Sequence, residues 1–278
     1  ESQLLGSQND MATIRLKYGC CTTMENYDIL QNLGYDYIEL SGSLIYSLPE
    51  RELDKIAQII SDGTVKCCGF NAAISKEIAI VGPNFDVKSA RNYCKELCRR
   101  GSILNIASIG VGSPNSRKIP EGFDKSLADE QAKEFYNILL DEAAPYHIFI
   151  LWESLNPLEA NYGISMTEGA KMVAEINRDY SGIICDLYHM SVCGEGLKEV
   201  EETISQTRHV HVSQWVGRER RYLSQEYYEF YDKILSYLIK HGYNRIISTE
   251  AFDGDFVSGA KNSLDILKRI EKSSLSKL

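Results

Sequence analysis

The sequence predicts an α/β protein with a single (β/α)8 TIM barrel, and three observations lead to this prediction. Short apolar runs alternate with amphipathic stretches along the whole chain of 278 residues. Eight such pairs can be counted, and their mean spacing of about 33 residues suits one strand, one helix and two loops. No low-complexity linker interrupts the chain, so one domain is the simpler interpretation.

The apolar runs are rich in Ile, Val, Cys and aromatic residues, which favours buried strands. The predicted strands are Ile14–Cys21, Tyr35–Leu40, Val65–Phe70, Ile103–Val111, Ile148–Trp152, Gly182–Leu187, His209–Val212 and Arg245–Thr249. The stretches between them have helical periodicity. The predicted helices are Glu25–Leu33, Pro49–Ile60, Val87–Arg99, Ser126–Glu142, Thr167–Asn177, Leu197–Ser205, Gln225–Lys240 and Val257–Glu271.

An open, doubly wound sheet is the alternative arrangement of the same elements. Such a sheet normally has a glycine-rich phosphate turn after its first strand, and Tyr18-Gly-Cys-Cys-Thr-Thr is not one. The segment Ser113–Asp124 is interpreted as a long loop between strand and helix. We therefore expect a barrel over residues 13–278, preceded by an N-terminal extension or cloning remnant over residues 1–12.

Composition excludes several classes of protein. A formal net charge of −9 disfavours binding to nucleic acid, because affinity for the phosphate backbone depends on Lys and Arg. No stretch approaches the roughly 20 apolar residues of a membrane span, and the first ten residues lack the features of a secretory signal. The eight cysteines form no CxxC motif, so we expect reduced thiols in a cytoplasmic protein.

Four consecutive predicted strands end with an acidic residue or a histidine: Glu153, Asp186, His211 and Glu250. In a barrel, these strand ends surround one mouth, where active sites are built. Three carboxylates that converge there repel one another unless a cation lies between them. The four residues are therefore candidate ligands of a divalent metal ion. Mn²⁺ is the first choice for this mostly oxygen-containing set, with Mg²⁺, Co²⁺ or Zn²⁺ as alternatives.

Two histidines lie on the seventh predicted strand, at positions 209 and 211. Because side chains alternate along a strand, we expect one of them, His211, to face the mouth. The other, His209, is expected to face the layer of helices.

At these strand ends the sequence resembles the xylose-isomerase-like sugar isomerases and epimerases, over about residues 14–272. The pattern is most similar to that of ketose 3-epimerases of the D-tagatose/D-psicose type. Four motifs carry the resemblance: Glu153-Ser-Leu-Asn156-Pro-Leu-Glu159, Asp186-Leu-Tyr-His189-Met190, His209-Val-His211 and Glu250-Ala-Phe252.

The resemblance implies a role for each matching residue. Glu153, Asp186, His211 and Glu250 would hold the metal, and Glu153 and Glu250 would also be the catalytic acid/base pair. Glu159 and His189 would bind the hydroxyls and the carbonyl end of a sugar.

The chain departs from the epimerase pattern after the seventh strand. The epimerases have a Glu-x-Asn-Arg run there, and its arginine contacts substrate. Here Gly217 lies nearest that position and Arg218 follows it, so Arg218 is the candidate substrate ligand. Arg218, Arg220 and Arg221 could instead receive a carboxylate or phosphate of the substrate, or the segment could be a solvated loop.

The expected function is metal-dependent isomerisation or epimerisation of a sugar through an enediolate, formed when a carboxylate removes a proton next to a carbonyl. A lyase or dehydratase acting on a keto-sugar or cyclitol at the same metal site is the first alternative. A non-catalytic, sugar-binding barrel subunit is the second. Endonuclease IV belongs to the same superfamily, but it needs further histidines after strands three and four and beyond strand seven, and no histidine precedes His147 in this chain. The expected partner is a small sugar, with no nucleic acid and no membrane, and a homo-oligomer remains open.

Overall fold

The computed structural model describes residues 15–277, and the predicted extension 1–12 lies outside this range. Within the described residues, eight parallel strands close into a barrel, which confirms the predicted fold class. The barrel strands are β1 (Lys17–Cys21), β2 (Tyr37–Ser41), β3 (Lys66–Asn71), β4 (Ser108–Val111), β5 (Phe149–Glu153), β6 (Ser181–Asp186), β7 (Thr207–Val212) and β10 (Ile246–Thr249). Two further short strands, β8 (Gln214–Val216) and β9 (Glu219–Arg221), form a separate hairpin.

Strand order around the barrel follows the order in the chain, with β10 lying between β7 and β1. As a result, β5, β6, β7 and β10 are consecutive neighbours, and their C-terminal ends lie side by side. Asp186 of β6 is the register partner of His211, and His211 in turn pairs with Ser248 of β10. This register places the predicted site residues of the neighbouring strands at one level.

Helices connect the strands. They are α1 (Tyr27–Leu33), α2 (Gly42–Ser47), α3 (Glu50–Asp62), α4 (Val87–Ile103), α5 (Lys125–Ala143), α6 (Met166–Ile176), α7 (Leu187–Cys193), α8 (Leu197–Thr203), α9 (Tyr228–Lys240) and α10 (Phe256–Leu275). Their apolar faces and the strands form one continuous hydrophobic core. Asp86 and Ser165 accept hydrogen bonds from the first turns of α4 and α6 and so fix where these helices begin.

The predicted strand Ile103–Val111 is shorter in the structure, because α4 continues to Ile103 and β4 begins only at Ser108. Asn105 lies between them with a φ of 53°, in the left-handed region where a short polar side chain is tolerated. Residues 103–106 therefore form the end of α4 and the turn that follows it. The mostly apolar run made the predicted strand too long at its N-terminal end.

The segment after β7, for which a solvated loop was one of two interpretations, contains the β8–β9 hairpin. Its two turn residues are Gly217 and Arg218, and Gly217 has a φ of 62°. A two-residue hairpin turn needs such a left-handed residue, which glycine adopts without strain. The hairpin places the side chain of Arg220 over the mouth of the barrel.

All eight cysteines, which lie within residues 15–277, are free thiols, as expected. Seven of them are buried. In the same part of the chain, no helix combines the length and the apolar character that crossing a membrane requires.

Candidate active site

The four predicted metal ligands meet at the C-terminal ends of the strands. One donor atom from each of Glu153, Asp186, His211 and Glu250 lies within 4.8 Å of the others, and all four residues are buried. Nδ1 of His211 lies 2.9 Å from Oε1 of Glu153, 2.9 Å from Oε2 of Glu250 and 3.6 Å from Oδ2 of Asp186. The imidazole nitrogen is thus at the centre of three carboxylates from three neighbouring strands.

Asp186 has two functions at the junction of β6 and α7. Its Oδ1 accepts hydrogen bonds from the backbone N–H groups of Tyr188 (2.8 Å) and His189 (3.1 Å), so that Asp186 is the N-cap of α7. Its Oδ2 is directed at the cluster. The helix therefore fixes the orientation of the carboxylate that the site uses.

Glu39 of β2 determines which nitrogen of His211 is available to a metal. Oε1 of Glu39 lies 3.1 Å from Nε2 of His211, and both side chains are buried. Burial opposes ionisation of Glu39, but the two histidines beside it hold its pKa well below the usual range. Since an ionised carboxylate only accepts hydrogen bonds, Nε2 donates, and Nδ1 is the nitrogen that can bind a cation.

The prediction for His209 was wrong. Nε2 of His209 lies 3.0 Å from Oε2 of the same Glu39, and its ring centroid is 4.9 Å from that of His211. Side chains two residues apart on a strand share a face, so positions 209 and 211 both point into the barrel. His209 occupies the layer below His211 and is bound to the other oxygen of Glu39.

Arg220 is the arginine that the structure brings to the cluster. Its Nη2 lies 2.5 Å from Oδ2 of Asp186 and 2.5 Å from Oε2 of Glu250. Its Nε donates to Oγ of Ser213 (2.9 Å), and its guanidinium lies 4.6 Å from the ring centre of Tyr188. The side chain is buried and supplies one positive charge to a group of three acids.

Arg218, the predicted substrate ligand, lies elsewhere. It is exposed at the turn of the β8–β9 hairpin, two residues before the buried Arg220. The position next to the cluster that we expected for Arg218 is therefore taken by Arg220, because the hairpin turn carries residue 218 away from the barrel. Substrate contact by Arg218 stays a prediction.

His189 and Glu159 lie beside the cluster and are connected by Asn156. The amide nitrogen of Asn156 lies 2.8 Å from Nδ1 of His189 and 3.4 Å from Oε1 of Glu159. Burial lowers the pKa of His189 to about 4, so its ring is neutral and accepts this bond at Nδ1. Nε2 then carries the proton, 3.9 Å from Oδ2 of Asp186. Glu159 is only partly buried, and burial raises its pKa.

The acids of the cluster differ in their electrostatic surroundings. Burial raises the pKa of Glu153 to about 7, and the charges of Glu250 and Asp186 act in the same direction. Burial also opposes ionisation of Asp186 and Glu250, but the charge of Arg220 and the contacts with His211 together outweigh it, so the pKa of both acids is lowered. Asn71 of β3 donates a further hydrogen bond of 3.0 Å to Oε1 of Glu250.

The donor set fits a divalent cation. Three carboxylate oxygens and one imidazole nitrogen converge on one point, which is the mixed, mostly oxygen-containing set that first-row divalent metals accept. Glu39 holds the imidazole in the tautomer that binding at Nδ1 requires. Glu153, Asp186, His211 and Glu250 would hold the ion.

Sequence reasoning missed Glu39 and Asn71, and it named Arg220 only as one of three arginines that could receive a carboxylate or phosphate of the substrate. Glu39 is a single acid between Ile38 and Leu40 in an apolar strand, and an acid in such a strand is buried only with partners. That signal could have identified it. Arg220 gave no comparable signal, since three arginines lie in the same segment and only the hairpin register distinguishes them.

Residues 27–271 match the family described as xylose isomerase-like TIM barrel. The chain belongs to this family. The resemblance inferred from the four strand-end motifs is thereby confirmed, and the match spans most of the barrel.

Individual relatives are distant in sequence. An inosose isomerase from Bacillus licheniformis is 23% identical over 205 residues, which is 68% of each chain. The structure of a D-allulose 3-epimerase from Methylomonas sp. in complex with D-allulose has a TM-score of 0.77 at 18% identity, covering 92% of this chain and 97% of that one. The IolI protein with a bound zinc atom has a TM-score of 0.70 at 18% identity, covering 94% and 99%. At these identities the structural likeness shows the fold.

Proposed function

We propose that the protein is a divalent-metal-dependent sugar isomerase or epimerase. The observation that carries this proposal is the convergence of Glu153, Asp186, His211 and Glu250 within 4.8 Å at the mouth of the barrel. A D-allulose 3-epimerase and the zinc-binding IolI protein share the fold, and an inosose isomerase is similar in sequence. Mn²⁺ is our first choice of metal on the chemistry of the ligand set.

A bound divalent ion would polarise the substrate carbonyl and neutralise negative charge that develops on its oxygen. Glu153 and Glu250 extend from β5 and β10, with β6 and β7 between them. They can therefore approach a bound sugar from different sides. One of the two, as the carboxylate, removes the proton next to the carbonyl, which leaves an enediolate. The other, in its protonated carboxylic acid form, gives its proton to the same carbon from the opposite face.

The remaining residues orient the substrate. Nε2 of His189 can donate a hydrogen bond to a carbonyl or hydroxyl oxygen, and Glu159 can accept one from a hydroxyl. Asn156 bonds to both side chains and fixes their separation. If the proton is returned to the adjacent carbon instead, the same groups catalyse aldose–ketose isomerisation.

The test combines metal analysis with isotope exchange. Elemental analysis of the purified protein identifies the bound metal, and a panel of ketoses and inososes is then incubated with that metal in D₂O. We expect deuterium at one carbon of a product whose composition is otherwise that of the substrate. Loss of water would indicate the lyase or dehydratase alternative, and binding without exchange would indicate the non-catalytic barrel. The cytoplasmic location also stays a prediction.

A further inference from the structure

Arg117 is a buried charged residue next to the candidate active site, where it bonds to the backbone of Glu153. The proposed chemistry does not use this arginine. Its side chain is completely buried, and its Nε has no hydrogen-bond partner among the described residues. The guanidinium bonds to backbone carbonyls and, within residues 15–277, forms no ion pair. Burial lowers its pKa to about 9. A charge held in this way opposes folding, so its retention calls for a benefit elsewhere.

The carbonyls that Arg117 binds belong to three segments at the mouth of the barrel. Nη2 donates to the carbonyl of Val111, at the end of β4, and to that of Glu153 at 2.7 Å, at the end of β5. Nη1 lies 3.3 Å from the carbonyl of Gly163 in the loop before α6. The guanidinium also lies 3.8 Å from the ring centre of Trp152. Arg117 therefore bonds to the backbone of Glu153 itself and ties it to the end of β4 and to the loop before α6.

Two glycines leave the space that this arrangement needs. A Cβ at Gly163 would lie 2.9 Å from Nη1 of Arg117 and 3.0 Å from Cζ2 of Trp152. A Cβ at Gly112 would overlap Oε2 of Glu153. The guanidinium of Arg117 and the carboxylate of Glu153 therefore occupy space that a side chain at position 163 or 112 would fill.

We propose that Arg117 is a positioning residue for Glu153, whose backbone it holds so that the carboxylate reaches the metal and the substrate. This inference rests on the proposed function for the role of Glu153. Groups that orient a metal ligand from behind change metal affinity by about 10–100-fold when they are removed. A displaced catalytic group lowers the rate by up to about 10²-fold, even when the substitution lies outside the reacting centre.

A second buried arginine provides a control for purely structural effects. Arg100 is also nearly completely buried and binds the backbone carbonyls of Ile45 (3.0 Å) and Leu48 (2.7 Å). It also pairs with Glu50 of α3 and with Glu96 of its own helix, so its contacts outside α4 join that helix to α2 and α3. Arg100→Met therefore removes a buried arginine without disturbing β5.

The first comparison uses Arg117→Met, Arg117→Lys and Arg100→Met in the full chain. Mn²⁺ affinity is measured by competition with a chelating dye, and kcat and KM are measured on the ketose that the unmodified protein converts. We expect Arg117→Met to lower kcat by about tenfold or more with little change in KM, and to weaken Mn²⁺ binding about tenfold. Arg117→Lys should recover part of both losses, and Arg100→Met should keep both values despite a lower Tm.

The second comparison displaces the guanidinium without removing it. Gly163→Ala pushes Nη1 away, whereas Gly122→Ala adds the same methyl group at a glycine with a similar φ (74° against 69°) and nothing within 4 Å. Both substitutions strain a left-handed residue, but only Gly163→Ala should reduce kcat and Mn²⁺ affinity. This pair decides the question if Arg117→Met does not fold.

Failure of this inference and failure of the proposed function give different results. If Glu153→Gln abolishes turnover while Arg117→Met and Gly163→Ala behave like their controls, the proposed function holds and Arg117 has no positioning role. If the unmodified protein converts no ketose or inosose, the proposed function fails. In that case, the role of Arg117 is decided by the Mn²⁺ affinities of Arg117→Met and Gly163→Ala, each compared with its control.

Discussion

At the scale of single residues, Glu39 connects two histidines in the interior of the barrel. Its two oxygens accept hydrogen bonds from His209 and His211, at 3.0 and 3.1 Å. A glutamine has one carbonyl oxygen in place of two carboxylate oxygens, so it cannot accept both bonds with the same strength.

We therefore expect Glu39→Gln to weaken Mn²⁺ binding by about 10–100-fold, because His211 loses the charge that fixes its tautomer. Dye competition measures the effect. Glu271→Gln is the matched control, since Glu271 also bonds through both oxygens, to Leu16 N–H and Tyr18 O–H, near the start of β1. Equal Mn²⁺ affinity in the two variants would contradict the role given to Glu39.

A second prediction concerns the two carboxylates proposed to transfer protons. Glu153→Gln and Glu250→Gln keep an oxygen at each position but cannot accept a proton at neutral pH. Each substitution should lower kcat by about 10²–10⁴-fold, the usual contribution of general acid–base catalysis, while the metal is largely retained. Deuterium exchange and metal content are measured on the same samples, and full activity in either variant would rule out its assigned role.

The sequence was sufficient to predict that Glu153, Asp186, His211 and Glu250 converge, because each lies at or near the C-terminal end of a predicted strand. It was insufficient for their partners. Glu39 lies early in the chain and reaches His211 only because closure of the barrel directs side chains of β2 and β7 into the same interior. His209 was misplaced because the two-residue repeat of a strand was applied with the wrong parity.

At the scale of elements, the β8–β9 hairpin contributes a cation to the site. Its exposed turn carries Arg218, and its second strand carries Arg220 between Asp186 and Glu250. Removing one partner of a buried ion pair leaves uncompensated charge, which costs about 3–5 kcal/mol. The two arginines are therefore expected to differ strongly in their effect on stability.

Arg220→Met should lower the free energy of unfolding of the metal-free protein by about 3 kcal/mol, whereas Arg218→Met should change it by less than about 0.5 kcal/mol. Urea unfolding in the presence of EDTA measures both. Added Mn²⁺ should stabilise the Arg220→Met protein more than the unmodified one, since the dication replaces the missing charge. Similar unfolding energies for both variants would argue against a buried ion pair at Arg220.

The elements that sequence reasoning missed are short. Helices α2 and α7 have six and seven residues, and the hairpin strands have three each. A helix of six or seven residues completes fewer than two turns, and a strand of three residues completes fewer than two side-chain repeats. Hydrophobic periodicity therefore cannot identify such segments. The long helices were predicted within a few residues, because their apolar faces repeat several times.

At the scale of the whole molecule, closure of the barrel assembles the site. The four donors come from positions 153 to 250, and they meet only because β5, β6, β7 and β10 are neighbours in the closed sheet. The spacing of about 33 residues was enough to predict closure. The bond from Arg117 to the end of β5 depends on the conformation of a loop, which no repeat in the sequence specifies.

A site assembled by the fold stabilises the fold when it is filled. Mn²⁺ at 100 times its Kd should stabilise the folded protein by about 2.7 kcal/mol, which corresponds to a rise in Tm of about 5 °C. Differential scanning fluorimetry with and without the metal measures the shift. The double variant Glu153→Gln/Glu250→Gln should show almost none, and an equal rise in Tm there would place the ion at a different site.

The N-cap of α7 links the site to the mobility of a helix. Asp186 accepts hydrogen bonds from the first backbone amides of α7 with one oxygen and faces the cluster with the other. Fraying of this helix end therefore also releases the carboxylate from its orientation. Slower solvent exchange of the Tyr188 and His189 amide hydrogens in Mn²⁺ would therefore report occupancy of the site without any substrate.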